Sequence, residues 1–327
     1  DTNKPLGKIP QVEHTYKVVG FMNEHQLSIT ESTFGGRPEL VDTTGIIDYG
    51  SLMQLALQRA RTAREAITVM TDLVKKYGYY SSGESFSIAD PEEVWILEMI
   101  GKGSASKGAV WVAVRIPDDC IAAHANHSRI HRFPLDDPEN CLYSPDVISF
   151  AREQKYFAGL NRDFSFSAAY APAGFEELRA CEARVWSFYN RYDSTMVSYL
   201  PYIYGESSTP LPLYIKPDRK LSVQDMKDAM RDHFEGTPFD MTQDAGAGPF
   251  KAPYRFRPMT FEVDSQEYIN ERAIATQQTG FSLVAQQREW LPAALGGVLW
   301  FGVDDANTSV YVPIYCLLYT SDAADEL

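Results

Sequence analysis

Four short β-prone segments constrain the fold of this chain more than any other feature of its sequence. They occupy residues 85–89, 94–100, 109–116 and 120–125, and the stretches DPEE, GKGSASKG and PDD connect them. A parallel pair of strands needs a crossover connection of about a dozen residues or more, and none of these loops is long enough. The sequence therefore predicts an antiparallel meander here and excludes a βαβ unit.

Helical patterns lie on both sides of this meander. Apolar residues recur at helical spacing from about residue 49 to residue 77. Thr62 followed by Glu65 is a capping box that restarts the helix, and Gly78 provides its end. We therefore predict two consecutive helices. Further helices are predicted to start at Ser144-Pro145-Asp146, with a cap and Pro at the first helical position, over residues 174–192, and from Ser222 with Asp225 to about Gly236.

Strands are also predicted near both ends of the chain, over residues 16–21, 26–32, 273–286, 297–303 and 309–316. Blocks of strands that flank blocks of helices are typical of an α+β protein whose helices pack outside antiparallel sheets. The proline-dense stretch 199–217 is the best candidate for a domain boundary, although its aromatic residues favour a packed loop. We expect one domain over residues 1–316, and interpret residues 317–327 (LLYTSDAADEL) as a non-native read-through tail.

Composition excludes several classes of partner. The chain carries 30 Lys and Arg against 44 Asp and Glu, a net charge of −14. Such a charge repels phosphate backbones and anionic membrane surfaces, and no apolar run reaches the ~18 residues of a membrane span. We expect no nucleic-acid or membrane partner. Phosphate-binding and dinucleotide-binding glycine motifs, GxSxG and HExxH are all missing, so we expect no cofactor.

Several polar clusters have two interpretations. His124, His127 and His131 could share a metal ion on a helix, but a strand over residues 120–125 would separate the rings, so ordinary histidines are favoured and no metal is expected. Asp240 and Asp244 could bind a hard cation, but solvated loop carboxylates are favoured. Glu84 and Asp90 lie six residues apart, on one face of an extended segment. They could bind a substrate amine, although a turn-capping role for Asp90 is favoured.

Six longer strings, in this order along the chain, together resemble the PepD-type dipeptidases, which are N-terminal-nucleophile cysteine hydrolases related to choloylglycine hydrolases and penicillin V acylases. The strings are FMNEHQLSITESTFGGRPEL, ARTAREAI, SGESFSIADPEEVWILEMIGKG, GAVWVAVRIPDDCIAAHANHSRI, GTPFDMTQDAGAGPFKAPYRFRPMTFEV and NERAIATQQTGFSLVAQ. The resemblance implies an αββα sandwich, in which helices flank two stacked antiparallel sheets. It also implies hydrolysis of small dipeptides without a cofactor, and a homo-oligomer remains open.

The resemblance implies a cysteine nucleophile whose own α-amino group, with a pKa near ~8, is the general base. Asn126 matches a family asparagine that is a candidate oxyanion donor. Thr33 lies where choloylglycine hydrolases use a second donor. Arg255 matches an arginine near the nucleophile that can hold the thiolate or the substrate carboxylate, whereas Arg257 would point to the other strand face.

The sequence departs from this family pattern at the nucleophile itself. Its first residue is Asp1, which has no thiol, and Cys120 follows two aspartates that would raise its pKa. We therefore expect a chain truncated at both ends that lacks the nucleophile and is inactive as printed. Two alternatives remain open: an acylase of the same fold that acts on bile-salt or penicillin amides, and a non-catalytic module that binds peptides.

Overall fold

The computed structural model describes residues 5–255, 260–276 and 278–316. Arg257 and the tail 317–327 lie outside these ranges. The strands are β1 Val18–Val19, β2 Met22–Asn23, β3 Ser28–Gly35, β4 Gly83–Ala89, β5 Val94–Gly101, β6 Ala109–Ile116, β7 Ile121–Ala122, β8 Cys141–Tyr143, β9 Tyr214–Ile215, β10 Thr260–Val263, β11 Gln266–Ile269, β12 Phe281–Gln286, β13 Val298–Val303 and β14 Val312–Ile314. The α-helices are α1 Tyr49–Leu57, α2 Ala63–Tyr77, α3 Val147–Glu153, α4 Phe166–Tyr170, α5 Ala183–Asn190, α6 Leu200–Ile203, α7 Val223–Ala229 and α8 Ala293–Gly296. A π-helix, Glu177–Glu182, leads directly into α5.

The largest sheet has seven antiparallel strands in the order β1-β2-β3-β4-β5-β6-β8. Strands β4, β5 and β6 form the predicted meander, which confirms the argument from short connections. The predicted fourth strand, 120–125, is wrong, because only Ile121–Ala122 is extended and it pairs with β9 in a separate two-stranded sheet. The neighbour of β6 is instead β8, which the chain reaches after a long loop.

Helices α1 and α2 cover one face of this sheet. The Thr62 side chain accepts a hydrogen bond from the Glu65 backbone N–H and begins α2, and Gly78 ends it at φ 79°. Alternate residues of the strands, among them Ile29, Phe86 and Leu97, point into the core beneath the two helices. The predicted pair of helices is therefore confirmed. The cap at Thr62 explains why a second helix begins after the first one ends at Leu57.

Helices α3 and α4 cover part of the opposite face. Ile96, Val112 and Phe166 belong to the second apolar core, which fills this layer. The predicted helix α3 exists, but it begins at Val147, so Pro145 lies before its first turn, and the residue at its N-cap, Asp146, makes no side-chain capping hydrogen bond. The helix predicted from Ser222 also exists and has the expected capping box, but it ends at Ala229, earlier than predicted.

A three-stranded sheet, β12-β13-β14, lies beside α3 and α4 on the same face of the seven-stranded sheet. Gln287 Nε2 donates to Ser28 Oγ of β3, and the Phe281 and Phe21 rings stack at a centroid distance of 5.9 Å. The strand predicted over 273–286 is shorter than predicted. The result is a mixed fold of antiparallel sheets and helices, compatible with an α+β hydrolase.

The stretch 199–217 is packed, as predicted. Tyr202, Leu211 and Ile215 are buried in a third core together with Trp186 of α5. No helix among the described residues is long and apolar enough to cross a membrane.

Candidate active site

Hydroxyl side chains cover the face of the seven-stranded sheet that is turned away from α1 and α2, where β3 pairs with β4. Thr30 lies opposite Ser87, and Ser32 lies opposite Ser85. Because side chains alternate along a strand, these four point away from the core beneath α1 and α2. The sheet therefore presents a polar patch toward the three-stranded sheet rather than a further apolar surface.

His124 is held between two of these hydroxyls. Its Nδ1 lies 2.6 Å from Ser32 Oγ, and its Nε2 lies 2.8 Å from Ser87 Oγ. Burial and, to a smaller extent, the charge of Arg129 lower the pKa of His124 to about 4. The ring is therefore neutral at neutral pH, with one nitrogen donating and the other accepting.

The three histidines of the sequence do not converge on a metal site. Both nitrogens of His124 already have hydroxyl partners, and His131 Nδ1 lies 3.3 Å from Ser165 Oγ. Across residues 5–255, 260–276 and 278–316, no group of three or more metal-ligating side chains comes together. The arrangement favours ordinary structural histidines.

Asn126 ends the segment that carries His124. Its backbone is left-handed, with φ 56°, a conformation that Asn tolerates better than most residues. Its backbone N–H donates to Ser32 Oγ at 3.3 Å, and its Nδ2 donates to the Thr33 carbonyl at 2.8 Å. The amide nitrogen has a second N–H, which can donate to a ligand.

Arg184 of α5 fixes the other end of this amide. Its Nη2 donates to Asn126 Oδ1 at 3.0 Å and to the Ala125 carbonyl at 3.1 Å. Burial and the nearby Arg272 lower the pKa of Arg184 to about 10, so it stays cationic at neutral pH. A cation on Oδ1 polarises the amide and makes its N–H groups stronger donors. Sequence reasoning missed this residue, since a lone arginine in a helix carries no motif.

Thr33 meets Asn126 through its backbone and not through its hydroxyl. The Thr33 carbonyl accepts from Asn126, whereas Thr33 Oγ1 donates to Glu84 Oε1 at 2.7 Å on the opposite face of the sheet. The two predicted donors are therefore neighbours, but the Thr33 hydroxyl points away from the amide.

His124, Asn126 and Arg184 line a cavity of about 530 Å³ between the two sheets. Thr30, Ser32, His124, Asn126 and Arg184 form its polar side, and Phe188, Met230 and Leu283 are among its apolar residues. A cavity of this size with a few convergent polar groups suits a small organic ligand.

Arg255 lies outside the lining of this cavity. Its guanidinium forms an ion pair with Asp244, and its Nη2 donates to the Met241 carbonyl at 2.7 Å. The structure thus brings Thr33 and Asn126 together but does not add Arg255 to them.

The four cysteines of the chain are free thiols with raised pKa values. Burial is the main cause for each, and it raises the pKa of Cys141 to about 12. None of the four lines the cavity. A raised pKa leaves little thiolate at neutral pH, which is the opposite of what a nucleophile needs.

A buried ion pair supports the segment between His124 and β8. Arg129 Nε lies 2.9 Å from Glu182 Oε1, and both side chains are at most 2% exposed. The same guanidinium donates to the carbonyls of Ala123 and Pro212 at 2.7 and 2.9 Å. The carboxylate of Glu98 accepts from the backbone N–H of Arg129 at 2.6 Å. These bonds tie the cavity-lining segment to the sheet, to the π-helix and to the packed stretch 199–217.

Comparison with known proteins gives a consistent result. A "Probable dipeptidase" of Salmonella dublin is 28% identical over 296 residues, which cover 88% of this chain and 60% of that relative. A "Probable dipeptidase" of Latilactobacillus sakei is 28% identical, covering 88% and 55%, and "Dipeptidase A" of Lactobacillus helveticus is 25% identical, covering 89% and 55%. The chain thus spans 55–60% of the length of these relatives. The profile of Peptidase family C69 matches residues 1–326, and the chain therefore belongs to this family.

Proposed function

We propose that the protein to which this chain belongs is a dipeptidase that hydrolyses the peptide bond of small dipeptides. Membership of Peptidase family C69 and the dipeptidase names of the relatives support this proposal. The observation that carries it is the Asn126 amide in the lining of the cavity between the two sheets, held at one end by Arg184 and at the other by the Thr33 carbonyl.

We assign the Asn126 side chain as an oxyanion donor. Attack on the scissile carbonyl places a negative charge on its oxygen, and a preorganised N–H stabilises that charge without rearranging. Arg184 prevents the amide from flipping, because only Oδ1 can accept its hydrogen bonds. In this role Thr33 acts through its carbonyl, and Arg255 remains a candidate for holding the substrate carboxylate.

The nucleophile in this proposal is an N-terminal cysteine. Its thiolate attacks the carbonyl carbon, the amine leaves with a proton from the cysteine's own ammonium group, and water then hydrolyses the thioester. None of the four thiols in this chain fits that role, since all are shifted away from the thiolate form and none has a free α-amine. We therefore propose that the printed chain hydrolyses no dipeptide by itself.

We further propose that residues 1–316 form one N-terminal-nucleophile hydrolase domain with an αββα sandwich, and that 317–327 is a non-native tail. The stacking of the three-stranded sheet on the hydroxyl face of the seven-stranded sheet supports the sandwich. A homo-oligomer remains compatible with the proposal.

The experiment compares the printed chain with the protein made from its complete reading frame. Each is incubated with a panel of dipeptides and with bile-salt and penicillin conjugates, and the release of the free primary amine product is measured before and after thiol alkylation. We expect release from dipeptides by the complete protein only, and its loss on alkylation. Release from the acyl conjugates alone would support an acylase, and binding without hydrolysis would support a peptide-binding module. Turnover by the printed chain would contradict the assignment of the nucleophile.

A further inference from the structure

A second cavity lies on the other side of β3 and has a different character. Its volume is about 510 Å³, and Thr33, Glu84, Asp48, Tyr49 and Tyr80 are among the residues that line it. Because Thr33 and Ser32 are consecutive in a strand, their side chains point to opposite faces of the sheet. The acidic cavity, as we call it, is therefore separate from the cavity that contains Asn126.

Glu84 is the central group of the acidic cavity. It is fully buried, and its Oε1 accepts a hydrogen bond from the Thr33 hydroxyl at 2.7 Å. Its Oε2 is buried and accepts no hydrogen bond from any residue that the structure describes. An ionised carboxylate with an unpaired oxygen would be costly in this environment, so the empty site keeps a proton on Glu84, and a positively charged donor can take its place.

The surroundings of Glu84 are acidic or neutral. Glu31 lies two residues before Thr33 on the same face of β3, and its carboxyl group both hydrogen-bonds to Glu84 and acts on it by its charge. Asp48 and Tyr49 face the cavity from the start of α1, and Tyr79 lies next to it after α2. No lysine or arginine is among the lining residues. A cation that enters would therefore meet an uncompensated negative potential.

The lining also indicates which kind of cation fits. Tyr49, Tyr80 and Leu6 give the cavity aromatic and apolar walls, which suit the carbon body of an organic ligand. The faces of the two tyrosine rings also attract cations. A metal ion would need several converging ligands, and the described part of the chain offers no such group. We propose that the acidic cavity binds a primary ammonium group, which donates hydrogen bonds to Glu84 Oε2 and is neutralised by the carboxyl groups of Glu84 and Glu31.

This site has a predictable dependence on pH. Burial, opposed in part by the Thr33 hydrogen bond and reinforced by Glu31, raises the pKa of Glu84 to about 9. The empty site therefore holds a proton at neutral pH, and a bound ammonium displaces it. An alkylammonium remains charged up to a pKa near that of lysine, ~10.4, so binding strengthens from pH 6 to pH 9.

The proposal does not rest on the proposed hydrolysis, because binding is measured directly on the printed chain. Isothermal titration with n-butylammonium chloride at pH 8 is compared with n-butanol, which has the same carbon chain and no charge. We expect the ammonium to bind and to release up to one proton, detected from the heats in two buffers with different ionisation enthalpies. Butanol is expected to bind far more weakly.

Two variants locate the site. Glu84→Gln keeps the shape but removes the charge, and we expect it to weaken ammonium binding about tenfold or more. Ser82→Phe narrows the cavity at another lining residue and should also weaken binding without touching the carboxyl group. Glu92→Gln is the matched control, since Glu92 is exposed on the β4–β5 turn. It should bind like the wild type.

Three results would overturn the proposal. Equal affinities for butanol and butylammonium would show an apolar cavity only. Unchanged ammonium binding in both Glu84→Gln and Ser82→Phe would place the ligand elsewhere. Displacement of butylammonium by an equal concentration of potassium chloride, at constant ionic strength, would show a site for inorganic cations instead.

Discussion

Replacing Arg129 with methionine tests how the cavity-lining segment is held in place. The substitution keeps most of the apolar stem but removes every donor. Glu182, whose side chain is 2% exposed, then remains as a buried carboxylate without its cation. The carbonyls of Ala123 and Pro212 lose their hydrogen bonds in the same step.

The expected cost follows from this geometry. Burial alone would lower the pKa of Arg129, but the charge of Glu182 outweighs it and raises the pKa above the usual range. Breaking such a buried pair by removing one partner costs about 3–5 kcal/mol of unfolding free energy. A typical domain has only about 5–15 kcal/mol in total, so Arg129→Met should be only marginally folded.

Urea unfolding followed by tryptophan fluorescence measures this effect. At an m-value of about 3 kcal/mol per molar, the midpoint should fall by about 1 M or more. The double variant Arg129→Met with Glu182→Leu leaves no charge buried alone and should recover most of the loss. Arg132→Met is the control, because Arg132 is 71% exposed in its ion pair with Asp163 and should cost at most about 1 kcal/mol. The reasoning would be refuted if the unfolding free energy of Arg129→Met lay within about 1 kcal/mol of the wild-type value. It would also be refuted if the double variant were no more stable than Arg129→Met.

Three further predictions concern stability. Burial lowers the pKa values of His124 and His131 to about 4, whereas their unfolded value is near ~6.5, so the unfolded state binds more protons between these pH values. These two histidines therefore lower stability as the pH drops from 7 to 4.5, whereas the raised pKa of Glu84 acts in the opposite direction. The stability of His124→Gln relative to the wild type should accordingly increase over this pH range, and an unchanged difference would contradict this. Gly101→Ala should lower the melting temperature, because the added Cβ would lie 2.4 Å from the Leu40 carbonyl oxygen, and an unchanged temperature would show that the backbone yields freely. Thr62→Ala removes the cap of α2 and should cost about 1 kcal/mol in urea unfolding, whereas no loss would mean that the cap is redundant.

The elements that the sequence predicts well are those with local signals. The short loops between β4, β5 and β6 leave antiparallel pairing as the only choice, and Thr62 with Gly78 marks both ends of α2. In these cases the deciding interaction lies within a few residues of the element. No tertiary contact is needed to recognise it.

The wrong prediction over residues 120–125 has a tertiary cause. The apolar run is β-prone, but the edge of β6 is taken by Cys141–Tyr143, which arrives from about twenty residues later in the chain. Only Ile121–Ala122 finds another partner, in β9, and the left-handed turn at Asn126 ends the segment. Pairing between distant segments leaves no local pattern to detect.

The candidate site was partly accessible from the sequence. Asn126 and Thr33 were identified through the resemblance, and the structure brings them together. The hydroxyls of Thr30, Ser32, Ser85 and Ser87 alternate along two neighbouring strands, and this period of two is a signal that could have revealed the polar face. Arg184 could not be found in this way, because its contact with Asn126 joins residues 58 positions apart.

The kinetics of Asn126 variants test the central claim, that the cavity between the two sheets is the active site, most directly. In the protein made from its complete reading frame, Asn126→Ala and the nearly isosteric Asn126→Asp should each lower kcat for a dipeptide by about 100-fold or more, because the oxyanion loses its donor. KM should change much less. Asn161→Ala, at an exposed asparagine that does not line the cavity, should leave both constants unchanged. Near-normal kcat in both Asn126 variants would contradict the claim and move the chemistry elsewhere in the protein.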